Sequence, residues 1–141
     1  MFIGAHAYRV DDKGRTKLPA AFTSRLGPSF VLTRGTEGCL WLLPREEWER
    51  LVARLASDSL TDSRIHALQR VFIGNGLETS LDGQGRLFLP AHLREYAKIV
   101  DEIMVVGVGN RVEIWARAQW AEYNRRLDDA AIAELGRGAG L

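Results

Sequence analysis

A chain of 141 residues, 46% hydrophobic and 26% charged, has the size and composition of one globular domain or two small fused halves, which excludes a disordered or fibrous chain. No apolar run approaches the roughly 18 residues of a membrane span, the opening MFIGAHAYRVDD lacks a signal-peptide pattern, and the single Cys39 fits a reducing cytoplasm. Nineteen basic against eighteen acidic residues leave +1, so a polyanion could be held only by local positive charge or by charge multiplied through oligomerisation.

In chain order, residues 2–10 read as a strand ending in D-x-x-G-R at Asp11 to Arg15. That motif predicts a tight hairpin, with Asp capping the turn and Gly14 in the left-handed position. A short strand over 16–18 follows, then Pro19, a helix over 20–26 stopped by Gly27, and strands over 30–33 and 40–43. Trp48, Leu51, Val52 and Leu55 recur at helical spacing and predict an amphipathic helix over 45–56. Ile65, Leu68 and Phe72 predict a second over 62–72.

The same order then returns. A strand over 75–81 leads into DGQGR at Asp82 to Arg86, a strand over 87–89, Pro90, a helix over 91–97, and strands over 103–108 and 112–115. One helix is expected over 117–135, then a disordered Gly-rich tail over 136–141. At an offset of 71, Asp11, Gly14, Arg15, Leu18, Pro19 and Ala20 coincide with Asp82, Gly85, Arg86, Leu89, Pro90 and Ala91. Phe2-Ile3-Gly4 recurs as Phe72-Ile73-Gly74, and Arg45 and Trp48 as Arg117 and Trp120. The chain is a duplicated unit.

These elements predict an α+β fold of two tandem halves: 1–50, a helical connector 51–71, 72–123, and a C-terminal helix and tail 124–141. Each half is too small for a core of its own and leaves strand edges open, so the halves are expected to interlock in one pseudo-twofold β-barrel. Symmetry makes the two Arg-bearing turns equivalent. The first is the more basic, with Arg9, Lys13, Arg15 and Lys17 against Asp11 and Asp12. The second offers Arg86 and Gln84, side chains suited to base edges or phosphate. The bland reading is that each Asp only pairs with the Arg of its own turn. Retention of the pair in both halves argues for more, and a β-ribbon fits a major groove.

The opening MFIGAHAYRVDDKGR, the second LDGQGRLFLP and the helices between them resemble the MraZ family over nearly the whole chain. The resemblance implies two SpoVT–AbrB-type halves in a swapped-hairpin barrel. It also implies a cytoplasmic, nucleoid-associated bacterial transcriptional regulator that binds short direct repeats in promoters of the division and cell-wall gene cluster. A ring-like homo-oligomer, an octamer or larger, would present the contacts. The family's signature maps onto Asp11, Arg15, Asp82 and Arg86. Arg15, Arg86, Lys13, Lys17 and Gln84 are the expected DNA contacts, with Asp11, Asp82, Gly14 and Gly85 holding the turns. Promoter DNA and further copies of the chain are the expected partners; no cofactor, metal, membrane or small-molecule substrate is expected.

An enzyme fits poorly. His6, His66, His92 and Cys39 lack ligand or nucleophile spacing, and Gly107-Val108-Gly109 lacks the rest of a dinucleotide fingerprint. Asp58 and Asp62 read as solvated caps. The alternative is an oligomeric interaction scaffold or an antitoxin-like module of the same superfamily, with Trp41, Trp48, Trp115 and Trp120 divided between core and interface.

Overall fold

The computed structural model describes residues 1–56 and 60–141, so Asp58 lies outside the described residues. Local chemistry sets many element ends. Pro19 and Pro90 stand before helices α1 (Ala20–Leu26) and α4 (Ala91–Tyr96), where a fixed φ and a missing N–H suit a helix start. Gly27, at φ 84°, ends α1. Helix α2 (Arg45–Ala56) follows Pro44, and α3 (Ser63–Phe72) is capped by Asp62, whose side chain accepts from the Arg64 N–H.

The eight strands are β1 (Phe2–Arg9), β2 (Arg15–Thr16), β3 (Phe30–Arg34), β4 (Leu40–Pro44), β5 (Leu77–Thr79), β6 (Leu87–Phe88), β7 (Glu102–Gly109) and β8 (Val112–Ala116). Six form one antiparallel sheet in the order β1-β7-β8-β4-β3-β5, and β2 with β6 forms a separate ribbon. The opening strand of each half therefore pairs with the third strand of the other: β1 with β7, and β5 with β3. Registers obey the duplication. Tyr8 faces Ile103, and their counterparts Thr79 and Phe30 face each other. The pseudo-twofold runs through the Trp41–Glu113 pair of β4–β8 and the Thr16–Leu87 pair of the ribbon.

The architecture is α+β. Among the described residues no strand pairing closes the sheet into a barrel. The D-x-x-G-R segments are turns without long hairpin arms, because the strands on either side leave for different partners. One buried cluster draws on both halves, with Leu18, Phe22, Leu26, Phe30 and Leu32 beside Leu87, Leu89, Leu93, Ile103 and Ile114. Each such side chain contributes about 1.5–3 kcal/mol of burial, and neither half holds the cluster alone.

The opposite sheet face carries a smaller cluster of Cys39, Val106 and Trp115, covered by Trp120 and Tyr123 of helix α5 (Arg117–Arg125). Glu113 is buried there beside Arg111 (3.0 Å) and accepts from the indole N–H groups of Trp41 (3.2 Å) and Trp115 (3.1 Å). Trp41 stacks on Phe72 at 5.2 Å, and the Trp48 ring lies against Gly76. The four tryptophans thus pack within the chain.

Two expectations fail locally. The helix expected over 117–135 is two, because Arg126 caps α5 and Asp128 starts helix α6 (Asp129–Gly138) by accepting from the Ala131 N–H. Helix α6 also runs through Gly136 and Gly138, where composition predicts a structureless tail. Phe72-Ile73-Gly74 ends α3, as the spacing over 62–72 predicts for Phe72, whereas Phe2-Ile3-Gly4 opens β1. The match between them is one of sequence and not of structure.

Candidate nucleic-acid interface

Both turns are built by one carboxylate oxygen. Asp11 Oδ1 accepts from the backbone N–H groups of Lys13 and Arg15, each at 2.9 Å, and Asp82 Oδ1 from those of Gln84 and Arg86, each at 2.9 Å. The main chain closes each loop: the Asp11 N–H donates to the Arg15 carbonyl at 2.8 Å, and the Asp82 N–H to the Arg86 carbonyl at 2.9 Å. Gly14 and Gly85 sit at φ 82° and 75°, the left-handed conformation the sequence predicts for them.

Pairing of β2 with β6 then sets the turns side by side, with Arg15 opposite Phe88. Arg86 Nε donates to Asp82 Oδ2 at 2.9 Å, and Arg86 Nη1 lies 3.9 Å from Asp11 Oδ2. Arg15 Nε lies 3.8 Å from the same Asp11 oxygen. Asp11 therefore faces the guanidinium groups of both halves. The Arg side chains are only 28% and 24% exposed. Arg15 Nε is buried and, among the described residues, has no hydrogen-bond partner. An open cleft of ≈ 500 Å³ lies between Lys13, Arg15, Asp82, Arg86 and Phe88.

The carboxylates are held ionised. The Arg15 N–H donated to Asp11, with help from the Lys13 N–H and the charges of Arg15 and Arg86, lowers its pKa below the usual 3.8 against partial desolvation. Asp82 is lowered likewise, first by the Arg86 N–H and then by the Gln84 N–H and the Arg86 side chain. Two of the three acidic groups in these turns are thus turned onto backbone donors, while Lys13, Arg15, Lys17 and Arg86 supply four positive charges.

The structure brings Lys13, Arg15, Arg86, Asp11 and Asp82 together, with Gly14 buried and Gly85 exposed in the turns beneath them. Lys17 and Gln84 are exposed on the same turns but do not line the cleft. Arg9 is drawn away: Asp101 (2.7 Å) and Glu102 (2.9 Å) pair with it beside β7. Sequence reasoning misses Phe88, which stands 46% exposed. Its signal was the alternation Leu87-Phe88-Leu89, which turns Phe88 outward while both leucines enter the core.

The family model described as "MraZ protein, putative antitoxin-like" matches residues 1–71 and again 72–136. The chain belongs to the MraZ family. The two matches meet between Val71 and Phe72, which places the duplication in the family pattern as well as in this sequence. A relative from Moorella thermoacetica is 43% identical over 136 residues, covering 95% of each chain. One from Pelotomaculum thermopropionicum is 45% identical over 123 residues, covering 87% of this chain and 85% of its own. A third, from Heliobacterium modesticaldum, is 42% identical over 126 residues (89% and 88%). Each of the three is named a transcriptional regulator MraZ.

Proposed function

We propose that this MraZ family member is a transcriptional regulator that reads promoter DNA of the bacterial division and cell-wall genes through its paired D-x-x-G-R turns. Support comes from the names of its relatives and from one observation above all: β2–β6 pairing brings Arg15, Arg86 and Lys13 to one open cleft, with Lys17 exposed just after β2. Arg15 and Arg86 contact base edges or phosphates, Asp11 and Asp82 orient them, Lys13 and Lys17 attract phosphate, and Gln84 reaches a base edge.

A subunit of net charge +1 binds such DNA weakly. A ring of copies, holding the halves as swapped-hairpin barrels, would present the turns at fixed spacing to short direct repeats. Linked contacts then gain through effective concentration. Two features support self-assembly. Strand β1 is an edge strand with Ile3 exposed, and α6 exposes Ile132 and Leu135 without packing closely on the body.

Fluorescence anisotropy on DNA from upstream of the chain's own gene, against a scrambled duplex and over a salt series, tests this reading. Wild type prefers the native duplex, and the Arg15→Ala, Arg86→Ala double variant loses the preference. Lys17→Ala weakens both duplexes alike and lowers the salt slope by about 1. Equal losses from Arg15→Ala and Lys17→Ala, with sequence preference intact, would overturn the assignment of roles.

A further inference from the structure

The pseudo-twofold that pairs the turns does not extend to their chemistry. At the offset of 71 that superposes Arg15 on Arg86, Lys13 falls on Gln84 and Lys17 on Phe88. One turn carries two flexible cations. Its counterpart carries a neutral amide and an aromatic ring. Geometry reinforces the difference, because the cleft beside Arg15 and Arg86 reaches Phe88 and not Lys17.

Phe88 keeps 46% of its surface exposed beside the cleft that Arg15 and Arg86 line. Leu87 and Leu89, on either side, are fully buried, so the strand is anchored without Phe88. Leaving nearly half of a large apolar side chain in water opposite Arg15 forgoes burial energy. In the major groove, the apolar feature a phenylalanine can meet is the C5-methyl group of thymine. A lysine at the matching position is suited to phosphate, a contact that carries no base preference.

We propose that the ribbon is a polar reading head, in which the second turn reads bases through Phe88 on a thymine methyl and the first turn grips the backbone through Lys13 and Lys17. This inference rests on the DNA-reading role proposed above. A head with two chemically equal turns would fit a palindrome and bind its site in either direction. Unequal turns fix one direction. A set of copies facing the same way then suits sites repeated head to tail, which explains how a twofold fold reads a directional sequence.

The test uses the duplex from upstream of the chain's own gene, with each thymine of the bound segment replaced in turn by deoxyuridine, which removes only the methyl group. Wild type loses several-fold in affinity at one thymine per repeat. Phe88→Ala, a change at an exposed position, starts from a weaker affinity and shows no further loss at that thymine. Lys17→Ala keeps the wild-type loss at that thymine while its salt slope falls. The proposal is overturned if Phe88→Ala retains the wild-type deoxyuridine profile, or if Lys17→Ala erases it. Absence of any preference by wild type for the native duplex over scramble removes the DNA reading itself, an outcome distinct from an unchanged profile in Phe88→Ala.

Discussion

Asp11 and Asp82 each spend one oxygen on two backbone N–H groups and leave the second for arginine. That geometry lowers both pKa values, so the stability they contribute is fully present above the ordinary value of 3.8 and is lost as pH falls through the lower folded value. Asp82→Asn keeps an acceptor oxygen but gives up the charge that titrates. Its unfolding midpoint therefore lies below that of wild type at neutral pH, and the gap closes as acid protonates Asp82 in wild type. A gap that stays constant from pH 7 down to pH 3 would show that the charge on Asp82 does not matter to the turn. The Asp–Arg pair within each turn is legible from its spacing. The approach of Asp11 to Arg86 is not, since it arises from the pairing of Arg15 with Phe88 and Thr16 with Leu87, far apart in the chain.

Elements show where such pairing escapes sequence. Polarity, glycine and proline mark strand and helix ends well, and residues 20–26 and 45–56 come out helical as their spacing predicts. Which strand lies beside which is decided by the shared core, so the expected hairpin arms separate and β1 goes to β7. The break between α5 and α6 follows from Asp128 acting as a cap, a role its neighbours in an apparently continuous pattern conceal. The two turn glycines are similar in sequence context but not in surroundings. A Cβ on Gly85 meets open space, whereas one on Gly14 comes within 3.0 Å of the Leu89 carbonyl and 3.3 Å of the Arg94 guanidinium. Both substitutions force alanine into the left-handed region, at about 1–2 kcal/mol. Gly14→Ala adds the clash and threatens the 2.8 Å bond that the Leu89 N–H donates to the Gly14 carbonyl. Thermal unfolding should place Gly14→Ala clearly below Gly85→Ala, and equal midpoints would mean that the ribbon yields freely at Gly14.

For the molecule as a whole, the duplicated halves form one shared core and put their two turns on one ribbon, yet the charge balance of a single copy stays near neutral. On the proposed reading, affinity for a polyanion would come from copies acting together, and exposed apolar side chains are the candidate contacts between them. Ile132 and Leu135 are 53% and 61% exposed on α6, which buries no residue of its own, more apolar area than a solitary helix has reason to present. Ile132→Ser with Leu135→Ser removes that area without altering net charge or any contact of the ribbon. Light scattering should report a smaller particle for this variant, with circular dichroism close to wild type. Its affinity for a duplex with several repeats should fall by a hundredfold or more, the order expected when linked contacts become independent. Its affinity for a duplex with one repeat should hardly change, because the reading head is intact. A particle of wild-type mass would move the self-association surface elsewhere, and the exposed edge of β1 at Ile3 is where the same substitution would be tried next.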